Sequence, residues 1–181
     1  LEKTNEGYAI AKIAGLKLAK FISEKYPINC ICPMPCNLYG PNDNFHPDNG
    51  HVIPSLMTKF NNITENIATC WGDGTPTREF MYVDDLADAC LFAMDNYENA
   101  ELINVGSGQD VSIFHLAHKV AALTGFDGKI EWDKSRPNGT LKRPLDYSKI
   151  MSKGWKPKYD LNAGLKKTYE WFCQHNYIQT K

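Results

Sequence analysis

The chain has 181 residues, 43% of them hydrophobic and 12% aromatic, and its 20 basic and 21 acidic side chains leave a formal net charge of −1. That is enough apolar material for a packed core in one ordinary domain or two small lobes. Near-neutral charge without a basic stripe excludes a phosphate-tracking nucleic-acid partner, and no apolar run approaches the ~20 residues of a membrane span.

The first stretch, ending before Pro27, predicts one helix starting near Asn5 or Gly7. Ile10, Ile13, Ala14 and Phe21 form one apolar stripe and Ala11, Leu18 and Ile22 another, so the helix is expected to be covered on more than one side. "YAIAK" sets Tyr8 and Lys12 four apart on one helical face. Spacing alone leaves two readings open, a redox pair or mere neighbours, and Tyr177 and Lys181 repeat it at the chain end. "INCICPM" (28–34) reads as a buried strand of a parallel sheet. The polar stretch "CNLYGPNDNFHPDNGH" then runs about 16 residues, a length that connections seldom reach without a function. Pro54 is expected to open a helix through about Asn61.

Alternation continues through the second half. "IATCWGDG" reads as a strand ending in a turn, and "REFMYV" (78–83) as another strand. A helix over 84–96 follows, with Asp84 as its expected cap. "ELINVG" (101–106) is a strand, 111–125 a helix closed by Gly125, and "KIEWD" (129–133) a short strand. The last helix, about 161–174, is expected to bury Leu161, Leu165, Tyr169 and Phe172. Strands alternating with helices make this an α/β protein with a parallel sheet.

Two features invite over-reading. Cys30, Cys32 and Cys36 match no common zinc spacing, so reduced core thiols in a cytosolic protein are expected. "INVGSGQDVS" opens like a dinucleotide-binding loop but has Val111 where a third glycine belongs, so it reads as a turn.

"YAIAK", "NLYGPNDNFHPDNGHVIPSL", "WGDGTPTREFMYVDDLADA" and "INVGSG", in that order, resemble the GDP-L-fucose synthases. These are NADP-dependent 3,5-epimerases and 4-reductases of GDP-4-keto-6-deoxy-D-mannose in the extended short-chain dehydrogenase/reductase superfamily. The resemblance implies the C-terminal part of such an enzyme, since the family's glycine-rich cofactor loop, catalytic serine and catalytic cysteine precede the matching tyrosine. Residues 1–50 would end the Rossmann-like domain, and 51–181 would be mainly a nucleotide-sugar lobe, with about 78–100 returning to the first domain. By itself this part is expected to lack reductase activity. A rival within the superfamily is a GDP-mannose 4,6-dehydratase, and one from another class is a non-catalytic sugar-nucleotide-binding or dimerisation module.

The resemblance also assigns roles. Carbons 3 and 5 of the sugar flank a ketone, so their protons are acidified, and a histidine can exchange them near neutrality. His51 matches that position, and it also borders the cofactor; His46 does not match, and His115 and His118 read as surface or cap residues. Tyr8 matches the proton donor to the alkoxide formed at C4. A free phenol has a pKa of ~10, and bringing one near neutrality needs about 4 kcal/mol of differential interaction, part of it from the Lys12 charge. Lys12 also holds the nicotinamide ribose, and Pro35, Asn37 and Leu38 line the nicotinamide. Arg78 and Trp71 match substrate-binding positions, with Lys59 and Arg143 as further candidates for the GDP end. No metal is expected. A cytoplasmic protein is expected, and the superfamily implies a homodimer built partly on the first helix, with Leu18 and Ile22 near the contact.

Overall fold

A computed structural model describes residues 3–98 and 100–175; Tyr177 and Lys181 lie outside the described residues. After a 3-10 turn at Lys3–Asn5, helix α1 spans Glu6–Lys25. Strands β1 (Cys32–Pro35) and β2 (Asn37–Tyr39) lead to helix α2 (Val52–Asn62). Then come β3 (Ile67–Trp71), β4 (Thr77–Tyr82), α3 (Val83–Asn96), β5 (Leu102–Val105) and β6 (Asp110–Ser112). Helix α4 (Ile113–Thr124), β7 (Lys129–Asp133), α5 (Ser148–Met151) and α6 (Leu161–Gln174) complete the order.

The strands pair in three small groups: β1 with β5 in parallel, β2 with β4 in parallel and β4 with β6 antiparallel, and β3 with β7 in parallel. Strand β4 organises them because its pleat sends successive side chains to opposite faces. Phe80 and Tyr82 enter a core with Tyr39, Met57, Leu116, Leu165 and Phe172. Met81 enters a second core with Ala89, Ala93, Ile103, Val105, Ile150 and Trp155.

Two buried carboxylates hold the second core's edges. Asp85 is 1% exposed and accepts the backbone N–H groups of Lys158 and Tyr159 at 2.9 and 3.1 Å. Glu79 accepts the Gly108 N–H at 2.6 Å and the Ser107 hydroxyl at 3.3 Å on one oxygen, and the Tyr147 hydroxyl on the other. A side chain at Gly106 would meet that same carboxylate and the Tyr147 ring, so glycine here serves close packing. The glycines of "INVGSG" therefore form a pinned turn into β6.

Several expectations need correction. The predicted strand 28–34 is instead Cys32–Pro35, and the long polar loop begins with a strand, β2, because Leu38 and Tyr39 pack inward beside β4. Helix α2 starts at Val52, with Pro54 inside its first turn, where no N–H is needed. Helix α3 starts at Val83 on Tyr82, with no side-chain cap, so Asp84 is not its cap. The start of the predicted 111–125 helix is instead the end of β6, which pairs with β4; Gly125 closes α4 at φ 78° as expected. Leu165 and Phe172 are buried, whereas Leu161 and Tyr169 are half-buried against that core.

The largest departure is α1, in which no residue is buried. Ile10, Leu18 and Phe21 are 52%, 59% and 62% exposed, so neither apolar stripe is covered within the described residues.

The thiols divide by environment. Burial and the Glu79 charge push the Cys36 thiol up to about 12, and burial raises those of Cys32 and Cys70. A thiol held protonated is a poor nucleophile. At about pH 8, Cys32, Cys36 and Cys70 should alkylate at least ~10-fold more slowly in the native chain than in denaturant. Mass spectrometry of iodoacetamide-treated protein measures this, and equal rates at Cys36 in both states would contradict it.

Candidate functional site

Strand β2 carries the chain out of the sheet at Tyr39 and into a tight turn. Gly40 packs its α-carbon against Val83, and Asn42 takes a left-handed backbone at φ 65°, uncommon for a side-chain-bearing residue. This turn borders a cavity of about 230 Å³ whose lining includes Leu38, Gly40, Asn42, Asp43, His51 and Val83. It lies past the carboxyl ends of β2 and β4, the end at which open α/β sheets bind ligands.

The loop from the cavity to α2 is knitted by its own side chains. The His46 ring accepts the backbone N–H groups of Asp48 and Asn49 through Nδ1, both at 3.2 Å. Asn44 Oδ1 accepts the His46 N–H at 3.0 Å, and the buried Thr58 hydroxyl donates to the Phe45 carbonyl at 2.7 Å. His46 is therefore a structural residue whose Nδ1 lone pair is already engaged. His51 differs: it is the residue before α2, its side chain is 82% exposed, and Nδ1 lies 3.5 Å from Asp43 Oδ1. Its other ring nitrogen has no partner among the described residues, so it can meet a ligand. His115 bonds Ser112 at the start of α4, and His118 bonds the Phe114 carbonyl. Both lie away from the cavity lining.

Tyr8 and Lys12 stand side by side on α1, with the ammonium 5.4 Å from the tyrosine ring centre. Tyr8 is 61% exposed, and Lys12 has no carboxylate partner among the described residues. Neither residue lines the cavity. Of the three predicted nicotinamide neighbours, Leu38 lines it; Pro35 ends β1; and Asn37 spends its amide N–H on the Glu79 carbonyl at 2.7 Å, leaving its oxygen free to turn outward.

The predicted GDP-binding residues gather around β3 and β4. Trp71 is 60% exposed at the end of β3, and the Arg136 guanidinium lies 5.1 Å from the centre of its ring. Burial lowers the Arg78 pKa, and the nearby Arg143 charge lowers it further. Among the described residues no carboxylate bridges either arginine: Arg78 donates to the Thr77 carbonyl at 2.7 Å and Arg143 to the Thr140 hydroxyl at 3.5 Å. Two like charges held near each other without a counter-ion suit an anionic ligand. Lys59 donates to the Thr69 carbonyl at 2.7 Å, which ties it to β3 beside that group.

Residues 1–106 match the NAD dependent epimerase/dehydratase family. The chain belongs to that family. It is 50% identical to GDP-L-fucose synthase 1 of Arabidopsis thaliana over 178 residues, covering 97% of this chain and 55% of the relative. It is 43% identical to GDP-L-fucose synthase of Escherichia coli K12 over 187 residues, covering 97% of this chain and 58% of the relative. Among solved structures, a GDP-L-fucose synthetase of Naegleria fowleri bound to NADP superposes with a TM-score of 0.89 at 28% identity, covering 99% of this chain and 59% of that one. The chain thus spans a little over half the length of these relatives.

For a member of the epimerase/dehydratase family, three residues of this region escaped sequence reasoning. Asp43 meets His51 only because the loop doubles back. Arg136 reaches Trp71 because β3 and β7 pair in a register that sets Trp71 opposite Asp133. Glu79 reads as an alternating polar residue of a strand, and nothing local signals that it is buried.

The two loop histidines should separate on substitution. His46→Ala removes an acceptor shared by two backbone donors and should cost about 1–2 kcal/mol of stability. His51→Gln touches an exposed ring and should stay within about 0.5 kcal/mol. Urea denaturation of both variants gives the comparison, and equal losses would show that His46 does not brace the loop.

Proposed function

We propose that these residues form the substrate-facing part of a GDP-L-fucose synthase, which epimerises GDP-4-keto-6-deoxy-D-mannose at C3 and C5 and reduces it at C4. The observation that carries the reading is His51: an exposed imidazole on the rim of a cavity that also holds Leu38, past the carboxyl ends of parallel strands. The 43–50% identity to proteins named for that activity supports it.

The donor set fits a nicotinamide dinucleotide. The Lys12 ammonium, with no carboxylate partner among the described residues, would hold ribose hydroxyls, and Leu38 would offer an apolar wall. NADP is the form implied by the resemblance, and when bound it supplies the hydride. Tyr8 gives its phenolic proton to the oxygen at C4, and the Lys12 charge stabilises the phenolate left behind. His51 serves as one member of an acid/base pair: a proton leaves the ring carbon beside the ketone, its electron pair moves into the enolate, and a second group on the opposite face completes the exchange that inverts the centre. Arg78 and Arg143 hold the diphosphate, and Trp71 offers its exposed face to the base. Six free cysteines suit a reducing compartment such as the cytoplasm.

In the full-length protein supplied with GDP-4-keto-6-deoxy-mannose and NADPH, GDP-fucose should form. Dehydration of GDP-mannose instead would assign the chain to the dehydratases. Tyr8→Phe should lower reduction at least ~10²-fold and leave solvent-deuterium exchange at C3 and C5 measurable. His51→Gln should suppress exchange by a similar factor while NADPH binding persists. Parallel loss of both activities in both variants would refute this division of labour.

The full-length protein is further proposed to be a homodimer in which α1 packs on its copy. Support comes from the uncovered Leu18 and Phe21 and from the absence of any buried residue in α1. An apolar stripe of this kind is stabilised by a two-fold contact, the commonest arrangement for like subunits. Leu18→Glu and Ile22→Glu together should shift the sedimentation coefficient to that of a monomer. An unchanged dimer would place the interface elsewhere.

A further inference from the structure

We propose that Asp43 is a positioning residue for His51, fixing the tautomer in which Nδ1 carries the proton and Nε2 presents its lone pair to the cavity. The inference rests on His51 being the acid/base group of the proposed function, and it names the residue that makes His51 competent.

Asp43 is held from several directions. Its Oδ1 accepts the Asn44 backbone N–H at 2.8 Å, and its own N–H donates to the Gly40 carbonyl at 3.4 Å. It follows Asn42, whose left-handed backbone turns the chain back toward α2. The Asp43 side chain is only 16% exposed, whereas that of His51 is 82% exposed. A fixed carboxylate beside a projecting imidazole makes the acid the reference point and the ring the group that is oriented.

His51 is fixed at its backbone as well, since its carbonyl accepts the Ser55 N–H at 2.9 Å in the first turn of α2. Backbone anchoring leaves ring rotation and the choice of protonated nitrogen open. Oδ1 lies 3.5 Å from Nδ1, a long hydrogen bond of the sort that tightens when a ligand closes a site. An ionised carboxylate only accepts, so the proton must sit on Nδ1. Free imidazole side chains prefer the proton on Nε2, so Asp43 reverses the intrinsic choice. Its charge also opposes the positive N-terminus of α2, which otherwise disfavours an imidazolium at this position.

The proton transfer then balances. A C–H bond next to the ketone breaks, its electron pair enters the enolate, and an Nε2–H bond forms. The imidazolium is stabilised by Asp43, which keeps its own charge throughout. Inversion needs a second group to deliver a proton to the opposite face of the enolate, and Asp43 holds the ring until His51 has lost its extra proton again.

The test uses the full-length protein with NADPH and ¹⁵N-labelled histidine. Wild type should display His51 as the Nδ1–H tautomer, the signal being assigned by its loss in His51→Gln. Asp43→Ala should show the Nε2–H form. In the same variant, kcat for deuterium exchange at C3 and C5 should fall about 10-fold or more, with KM within about twofold. Asp43→Asn keeps an acceptor without the charge, so it should retain the Nδ1–H tautomer and lose less activity; it also covers the case in which the alanine variant does not fold. An Nε2–H tautomer in wild type, or exchange within about twofold of wild type in both variants, would overturn the proposal. Absence of exchange in wild type would instead remove the assignment of His51, and the tautomer measurement would still decide the Asp43 contact.

Discussion

The buried carboxylate of Glu79 is the contact on which the arrangement depends. Burying such a group costs several kcal/mol unless donors surround it, and here the donors are Gly108, Ser107 and Tyr147. They come from the turn after β5 and from the segment before α5, both distant from β4 in sequence. One side chain thereby ties β4 to two later parts of the chain. The Glu79 carbonyl meanwhile accepts the Asn37 amide, which joins β2 to the same point. Removing the carboxyl group would leave buried donors unpaired, so its neighbours are held in place by the cost of the alternative.

Position follows from that knot. With β2 held beside β4, the chain leaves the sheet at Tyr39 in one direction, and the turn at Gly40–Asn42 sends it back over Val83. The loop that follows is anchored by Phe45, buried against Trp171 and Phe172, and by polar groups: Asn44 and His46 bind backbone within it, and Thr58 of α2 binds the Phe45 carbonyl. His51 then projects from a fixed base at the start of α2. A polar loop braced this way can hold a catalytic group without the entropy loss of ordering it at each turnover.

The proposed nucleotide end rests on electrostatic imbalance. Burial and the nearby Arg143 charge lower the affinity of Arg78 for its proton, and among the described residues no carboxylate bridges either arginine. Proteins seldom leave such a pair without reason, because repulsion and partial desolvation both act against it. Trp71, 60% exposed, ends β3 with the Arg136 guanidinium 5.1 Å from its ring centre. A charged ligand with an aromatic base answers both features.

Much was legible in the chain because it depends on local pattern. The α/β alternation, the bounds of β7 and α6, the stop at Gly125 and the turn at Gly106–Gly108 all follow from periodicity and from the backbone freedom of glycine. The pairing of Tyr8 with Lys12 needs only a helical repeat. What tertiary structure decided is whatever requires two distant segments to meet. Strand β2 exists because β4 lies beside it, and a three-residue strand has no signature of its own. Asp84 loses the cap to a backbone-only start, while Asp85, its neighbour, is drawn inward by the N–H groups of Lys158 and Tyr159. Asp43 meets His51 only after a left-handed turn at Asn42 has reversed the chain. Sequence pattern reports what each segment prefers by itself; the partners of buried or converging polar groups are set by the path between them, and that path exists only in the folded chain.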